Sequence, residues 1–181
     1  MGGLFQNSTF TTTPQVFYNT IPDVDAQAFI TAANITNGIQ KIAIYRLVTD
    51  LKGYGIWTKM KALYPVVGGT AASHAVNLKI PGTYNLTFTA GWVHSSTGML
   101  PNGTSDYADT SLIPSTALSL NNVHISVYIN VNTAINGPAI SSEDASTYNN
   151  GLYIWPRIAT VTCFKHKFNL FSQIQKQCNV R

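Results

Sequence analysis

The sequence predicts an α+β fold, mainly β, in which an antiparallel β-sandwich is preceded by an extended arm and two to three short helices. Three observations lead there. Sustained helical periodicity is confined to residues 23–65. From residue 66 onward, short runs alternate apolar with polar residues between Ser, Thr, Asn and Gly clusters, with no interleaved helices. That pattern suits an antiparallel sheet better than a parallel one. Ahead of both, residues 1–22 carry no charge and mix Thr, Phe and Val. The organisation that follows is an arm at 1–22, a helical segment at 23–65 and an antiparallel β-domain at 66–181.

The arm favours extended backbone, and Pro14 keeps it from being a central strand. Phe5, Phe10, Phe17 and Tyr18 are costly to leave in water, each stabilising by about 1.5–3 kcal/mol when buried. The arm is therefore expected to lie on a neighbouring subunit or another protein. The first helix starts after Pro22 and Asp23, with Asp25 in the first turn where the helix dipole favours an acid. Ala26, Phe29, Ile30 and Ala33 form its apolar face. Asn37 and Gln40 approximate a capping box for a second helix, whose stripe is Ile44, Leu47, Val48 and Leu51. Gly53 and Gly55 end it. A third helix is expected over 56–64, stopping before Pro65. Strands are expected at 76–80, 84–92, 123–131, 153–155 and 158–164. The clearest is 123–131, where Val123, Ile125, Val127, Ile129 and Val131 alternate strictly. The connection 94–119 is longer than ordinary loops, so it is functional or holds a further strand. The helical stripe is expected to cover the chain's own sheet.

Composition narrows the function classes. Apolar residues at 45% allow a real core, and aromatics at 11% argue against disorder. Charged residues reach only 10%, which suits a chain packed among partners. The net charge of +4 is mostly a C-terminal bias: Arg157, Lys165, Lys167, Lys176 and Arg181 stand among residues 151–181 without one acid. Spread so thinly, they do not predict nucleic-acid binding. Cys163 and Cys178 are too far apart for a CxxC motif and are expected to be free thiols, with a disulfide left open. The start lacks the charged and apolar regions of a secretory signal, and no run is long and apolar enough for a membrane span.

Catalytic groups are sparse, and no catalytic or cofactor-binding residue is expected. Glu143 and Asp144 are adjacent, so in a strand they point to opposite faces and make a poor acid/base pair. His74, His94, His124 and His166 match no metal-ligand spacing, so no metal is expected. Ser95 and Ser96 lack the GxSxG frame of a nucleophile elbow. Asp106 and Asp109 share the long loop but not the spacing of a calcium loop, and they read as turn residues. Trp92, Tyr107 and Trp155 are the candidate platform for a sugar ring. Sequons at Asn7, Asn34, Asn85 and Asn102 follow from an Asn/Thr-rich composition.

Several motifs resemble a known class. Asp-x-Asp-Ala-x-x-Phe stands at 23–29, Leu-Val-x-Asp-Leu-Lys at 47–52, and Gly-Ile-Trp-x-Lys-Met-Lys-Ala-x-Tyr-Pro at 55–65. Val-Gly-Gly-Thr-Ala follows at 67–71, Asn-Leu-Lys at 77–79, Pro-Asn-Gly-Thr at 101–104 and Tyr-Ala-Asp-Thr at 107–110. Over residues 23–130 this is similar to structural proteins of bacteriophage virions, of fibre or appendage type. The resemblance implies a jelly-roll or concanavalin-like β-domain. The expected function is that of a non-enzymatic virion protein, part of a fibre, spike or capsid decoration. It would be homo-oligomeric, docked through its arm to other virion proteins and in contact with a host surface glycan. The alternatives are a carbohydrate-binding or glycan-active protein using Trp92, Tyr107 and Trp155, and an internal capsid component touching nucleic acid through 151–181.

Overall fold

A computed structural model describes residues 22–119, 121–131, 138–143, 151–154, 163–164 and 177–178. Residues 1–21 of the arm, Trp155, Asp144, His166 and most of the basic C-terminal stretch lie outside the described residues.

Helix α1 (Val24–Ala32) starts where the side chain of Asp23 accepts the Asp25 and Ala26 amides, at 3.0 and 3.2 Å. Helix α2 (Gly38–Gly53) starts in the same way, with Asn37 Oδ1 accepting the Ile39 and Gln40 amides at 2.9 and 3.1 Å. Tyr54 closes α2, and Gly55 turns the chain away with a φ of 68° that a side chain would resist. The two helices are fastened end to start, Lys52 Nζ lying 2.7 Å from Asp23 and 2.5 Å from Asp25. Burial alone would raise the Asp23 carboxyl, but hydrogen bonds from Lys52 and from the Ala26 and Asp25 amides outweigh it and hold the group below the usual carboxylate range.

Beyond Gly55 the expected third helix is a single 3₁₀ turn, Trp57–Lys59, after which Met60 is extended. The reason is tertiary. The Leu63 amide donates to Asn77 Oδ1 and the Leu63 carbonyl accepts from Leu78, so this backbone is satisfied across the core rather than along a helix. The expected strand at 76–80 is likewise an irregular segment, with Val76, Asn77 and Leu78 all buried. A short helix that periodicity did not reveal, α3 (Ala71–Ala75), precedes it, opened by a reciprocal capping box between Thr70 and Ser73.

One core results. Ala26, Phe29 and Ile30 of α1 and its C-cap residue Ala33 meet Ile44 and Val48 of α2, with Ile35, Trp57, Val76 and Leu78 completing the cluster. Leu47, Leu51, Met60, Leu63 and Val67 pack at its margin. The α2 stripe thus covers α1 and the irregular 57–78 segment, not a sheet. Lys79 Nζ sits 4.4 Å above the Trp57 ring and shields it from solvent.

The remainder is built from small antiparallel ladders. β1 (Thr87–Phe88) pairs with β4 (Ala108–Asp109), and β2 (Val93–Ser95) pairs with β3 (Gly98–Leu100). The long connection therefore holds strands, as well as the short helix α4 (Pro114–Ala117). β5 (Ile140–Glu143) pairs with β6 (Gly151–Ile154), while β7 (Cys163–Phe164) and β8 (Gln177–Cys178) are paired in a register that sets Cys163 opposite Cys178. The chain is thus α+β, but among the described residues helix outweighs strand and each ladder has two strands. Residues 123–129, expected as the clearest strand, form no strand and join no ladder among the described residues.

Candidate functional site

Side chains of mixed chemistry converge where α3 meets the β1–β4 and β2–β3 ladders. The Thr70–Ser73 capping box fixes the first turn of α3 and sets His74 inward, 1 % exposed. On β2, Val93 and Ser95 face outward and His94 faces in, the alternation a half-buried strand requires. His94 Nδ1 then lies 3.0 Å from His74 Nδ1. Phe88 of β1 meets the His94 ring edge-on at 4.7 Å between centroids, and Trp92 lies 5.3 Å from Phe88. Gly69 allows this closeness: a Cβ there would come within 3.2 Å of the Ser96 amide in the β2–β3 turn.

The Nδ1–Nδ1 contact holds one proton, so one imidazole donates and the other accepts. Among the described residues the His74 Nε2 has no partner although it is buried. Burial, and then the proximity of His94, lower the His74 pKa. A proton added at His74 Nε2 would be buried without an acceptor among the described residues. The unfolded chain takes up a proton on this histidine near pH ~6.5 while the folded one resists it, so stability present above that pH is lost as pH falls. Urea unfolding is expected to show stability declining below about pH 6.5, by at most about 1.4 kcal/mol per pH unit for one proton, with a flatter profile in His74→Gln. An unchanged profile in that variant would assign the dependence to other groups.

Among the described residues no three His, Cys, Asp or Glu side chains converge on one point. His124 is exposed and remote in sequence from any ladder. Asp106 and Asp109 serve turns. Asp106 Oδ2 accepts the Asn102 amide at 2.8 Å while its other oxygen packs against Gly91, and Asp109 Oδ1 accepts the Ser111 amide at 2.8 Å. Asn102 and Asn85 are also structural. Asn102 Oδ1 takes the Thr104, Ser105 and Asp106 amides, and Asn85 Oδ1 takes those of Asn77 and Gly82.

Of the proposed sugar platform, Trp92 and Tyr107 come together. The Trp92 indole donates to the Tyr107 carbonyl at 3.2 Å, and Thr89 donates to the same oxygen through its amide and its hydroxyl. The Trp92 ring is half-buried against Phe88, whereas the Tyr107 ring is 63 % exposed. Trp155 lies outside the described residues. The His74–His94 contact escaped sequence reading because the two residues sit on separate elements, and no spacing rule links them.

Among protein-family models, curated proteins and solved structures, none matches this chain.

Proposed function

We propose that the chain is a non-enzymatic structural subunit of a bacteriophage virion, part of a fibre, spike or capsid decoration, and that its surfaces work by packing against other protein chains. The observation that carries this is the number of large apolar side chains left in water on the ladders and loops of the β half. Val93, Leu100, Tyr107, Ile113, Tyr128 and Val131 are each more than half exposed. Burying such side chains against other chains would be favourable. Among the described residues, Asp106 and Asp109 serve turns and His74 lies in the interior. The virion assignment rests on the resemblance over residues 23–130, and the jelly-roll form of the β-domain belongs to it: two-stranded ladders would be extended by neighbouring strands into full sheets.

Mass spectrometry of density-purified particles tests this. The chain is expected at stoichiometric copy number, and to be lost from particles when residues 1–22 are deleted. Particles without the chain would overturn the assignment; incorporation undiminished by the deletion would overturn the docking role of the arm.

A second reading has its own support in the exposed Tyr107 ring beside the Trp92 indole. Binding on a glycan array that disappears in Tyr107→Ala, at unchanged circular dichroism, would favour a glycan-binding module.

A further inference from the structure

Cys163 and Cys178 are the two cysteines of the chain, and their spacing in sequence leaves their pairing open. The ladder they belong to is more specific. β7 and β8 run antiparallel, with Cys163 opposite Cys178 and Phe164 opposite Gln177. Directly opposed residues of an antiparallel pair share one face of the ladder, with Cβ atoms about 4.5–5.5 Å apart. Their Cα atoms stand about 4.5 Å apart in a non-hydrogen-bonded pair and about 5.5 Å apart in a hydrogen-bonded one. Both separations fall inside the span of about 4.4–6.8 Å that a disulfide bridges, and its Cβ separation of about 3.5–4.5 Å needs only a small approach. A slip of one residue would set Cys163 against Gln177 or Asn179 and lose the match.

We propose that Cys163 and Cys178 form a cross-strand disulfide that locks the β7–β8 ladder. Two observations beyond the register support it. The ladder is two residue pairs long, yet it closes the whole connection between Phe164 and Gln177. The hydrogen bonds of so short a pair offset the entropy of closing that loop poorly, and a covalent link removes most of the entropy from the open state. Lys165 and Lys176 each stand two positions from a cysteine, and residues 151–181 hold no acid. Cationic surroundings favour the thiolate, which is the attacking species. A small disulfide such as oxidised glutathione supplies the oxidant. One protein thiolate attacks it, forms a mixed disulfide and releases a glutathione thiolate. The second protein thiolate attacks the protein sulfur of that mixed bond and releases the other glutathione. The two protons lost by the cysteines end on the two released thiols, and the small disulfide takes both electrons.

The inference is independent of the virion assignment. After incubation of the full folded chain with oxidised glutathione, both titratable thiols are expected to disappear with loss of the mass of two hydrogen atoms. Tryptic mapping without reductant is expected to join residues 158–165 to residues 177–181 within one chain. Register is read from the equilibrium with a glutathione redox buffer. The effective concentration of the native pair is expected to exceed that of a Gln177→Cys, Cys178→Ser double variant, slipped by one residue, by at least about ten-fold. Thiols that stay free or stop at the glutathione adduct, links formed between chains rather than within one, or a slipped variant that closes as readily as the native pair would each overturn the proposal.

Discussion

Phe29→Ala is expected to cost about 3–5 kcal/mol of unfolding free energy, the usual range for emptying a well-packed aromatic site. Phe29 is 0 % exposed and projects from the middle of α1 into the cluster formed by Ile44 and Val48 of α2 with Val76 and Leu78. Elements that frame this position are capped at both helix starts and tied by Lys52, so collapse around a void is restrained. A domain of ordinary stability holds about 5–15 kcal/mol in total, so this one change consumes a large part of it. Equilibrium urea unfolding measures the loss directly. Phe29→Leu, which keeps most of the volume, should retain well over half of the difference; a Phe29→Ala variant within about 1 kcal/mol of wild type would mean the site repacks freely.

Asn77→Ala is expected to destabilise by about 3 kcal/mol or more, through hydrogen bonding rather than volume. Asn77 is 0 % exposed, and its amide joins three separate pieces of backbone. Its Oδ1 accepts the Leu63 and Lys79 amides at 2.9 and 3.0 Å, and its Nδ2 donates to the Thr83 carbonyl at 2.9 Å. Truncation removes the side-chain partner of two amides and of the Thr83 and Lys61 carbonyls, each group left unpaired costing about 1–3 kcal/mol when buried. Asn77→Asp is the sharper test. It preserves the acceptor and the shape but turns a carboxylate oxygen towards the Thr83 carbonyl, so it should also destabilise, and more at neutral than at acid pH. Urea midpoints that matched wild type for both variants would show that water replaces the amide.

The two long helices were legible because their signals are local: Asp23 and Asn37 cap, Ile44 and Val48 recur at i and i+4, and Gly55 takes the left-handed turn. The third helix and the 76–80 strand differ from expectation for one shared reason. Residues 60–64 have helical spacing and 76–80 has strand composition, but each satisfies its backbone through the other and through the amides of Asn77 and Asn85. Side-chain amides that substitute for a ladder leave no periodicity to find. The sandwich expected from 66 onward met the same obstacle, since alternation is visible in sequence while the identity of the pairing strand is not. At the candidate site, Trp92 and Tyr107 were named from composition and do adjoin. The spacing of His74 and His94 carries no sign of their contact, which depends on the capping box that orients α3.

The core gathers Val76 and Leu78 onto the same cluster as α1 and α2, and the Leu63 backbone is held by Asn77. A segment moved from one chain to another keeps its fold only if its core travels with it. A junction at residue 65 would part Phe29 and Val48 from the residues that close over them, and leave the Leu63 amide facing a stranger's side chain. Placed beyond the β1 strand, the same exchange would carry the whole cluster intact. The cooperative unit is therefore the helices together with the asparagine-braced loop behind them, which share one core and stand or fall together.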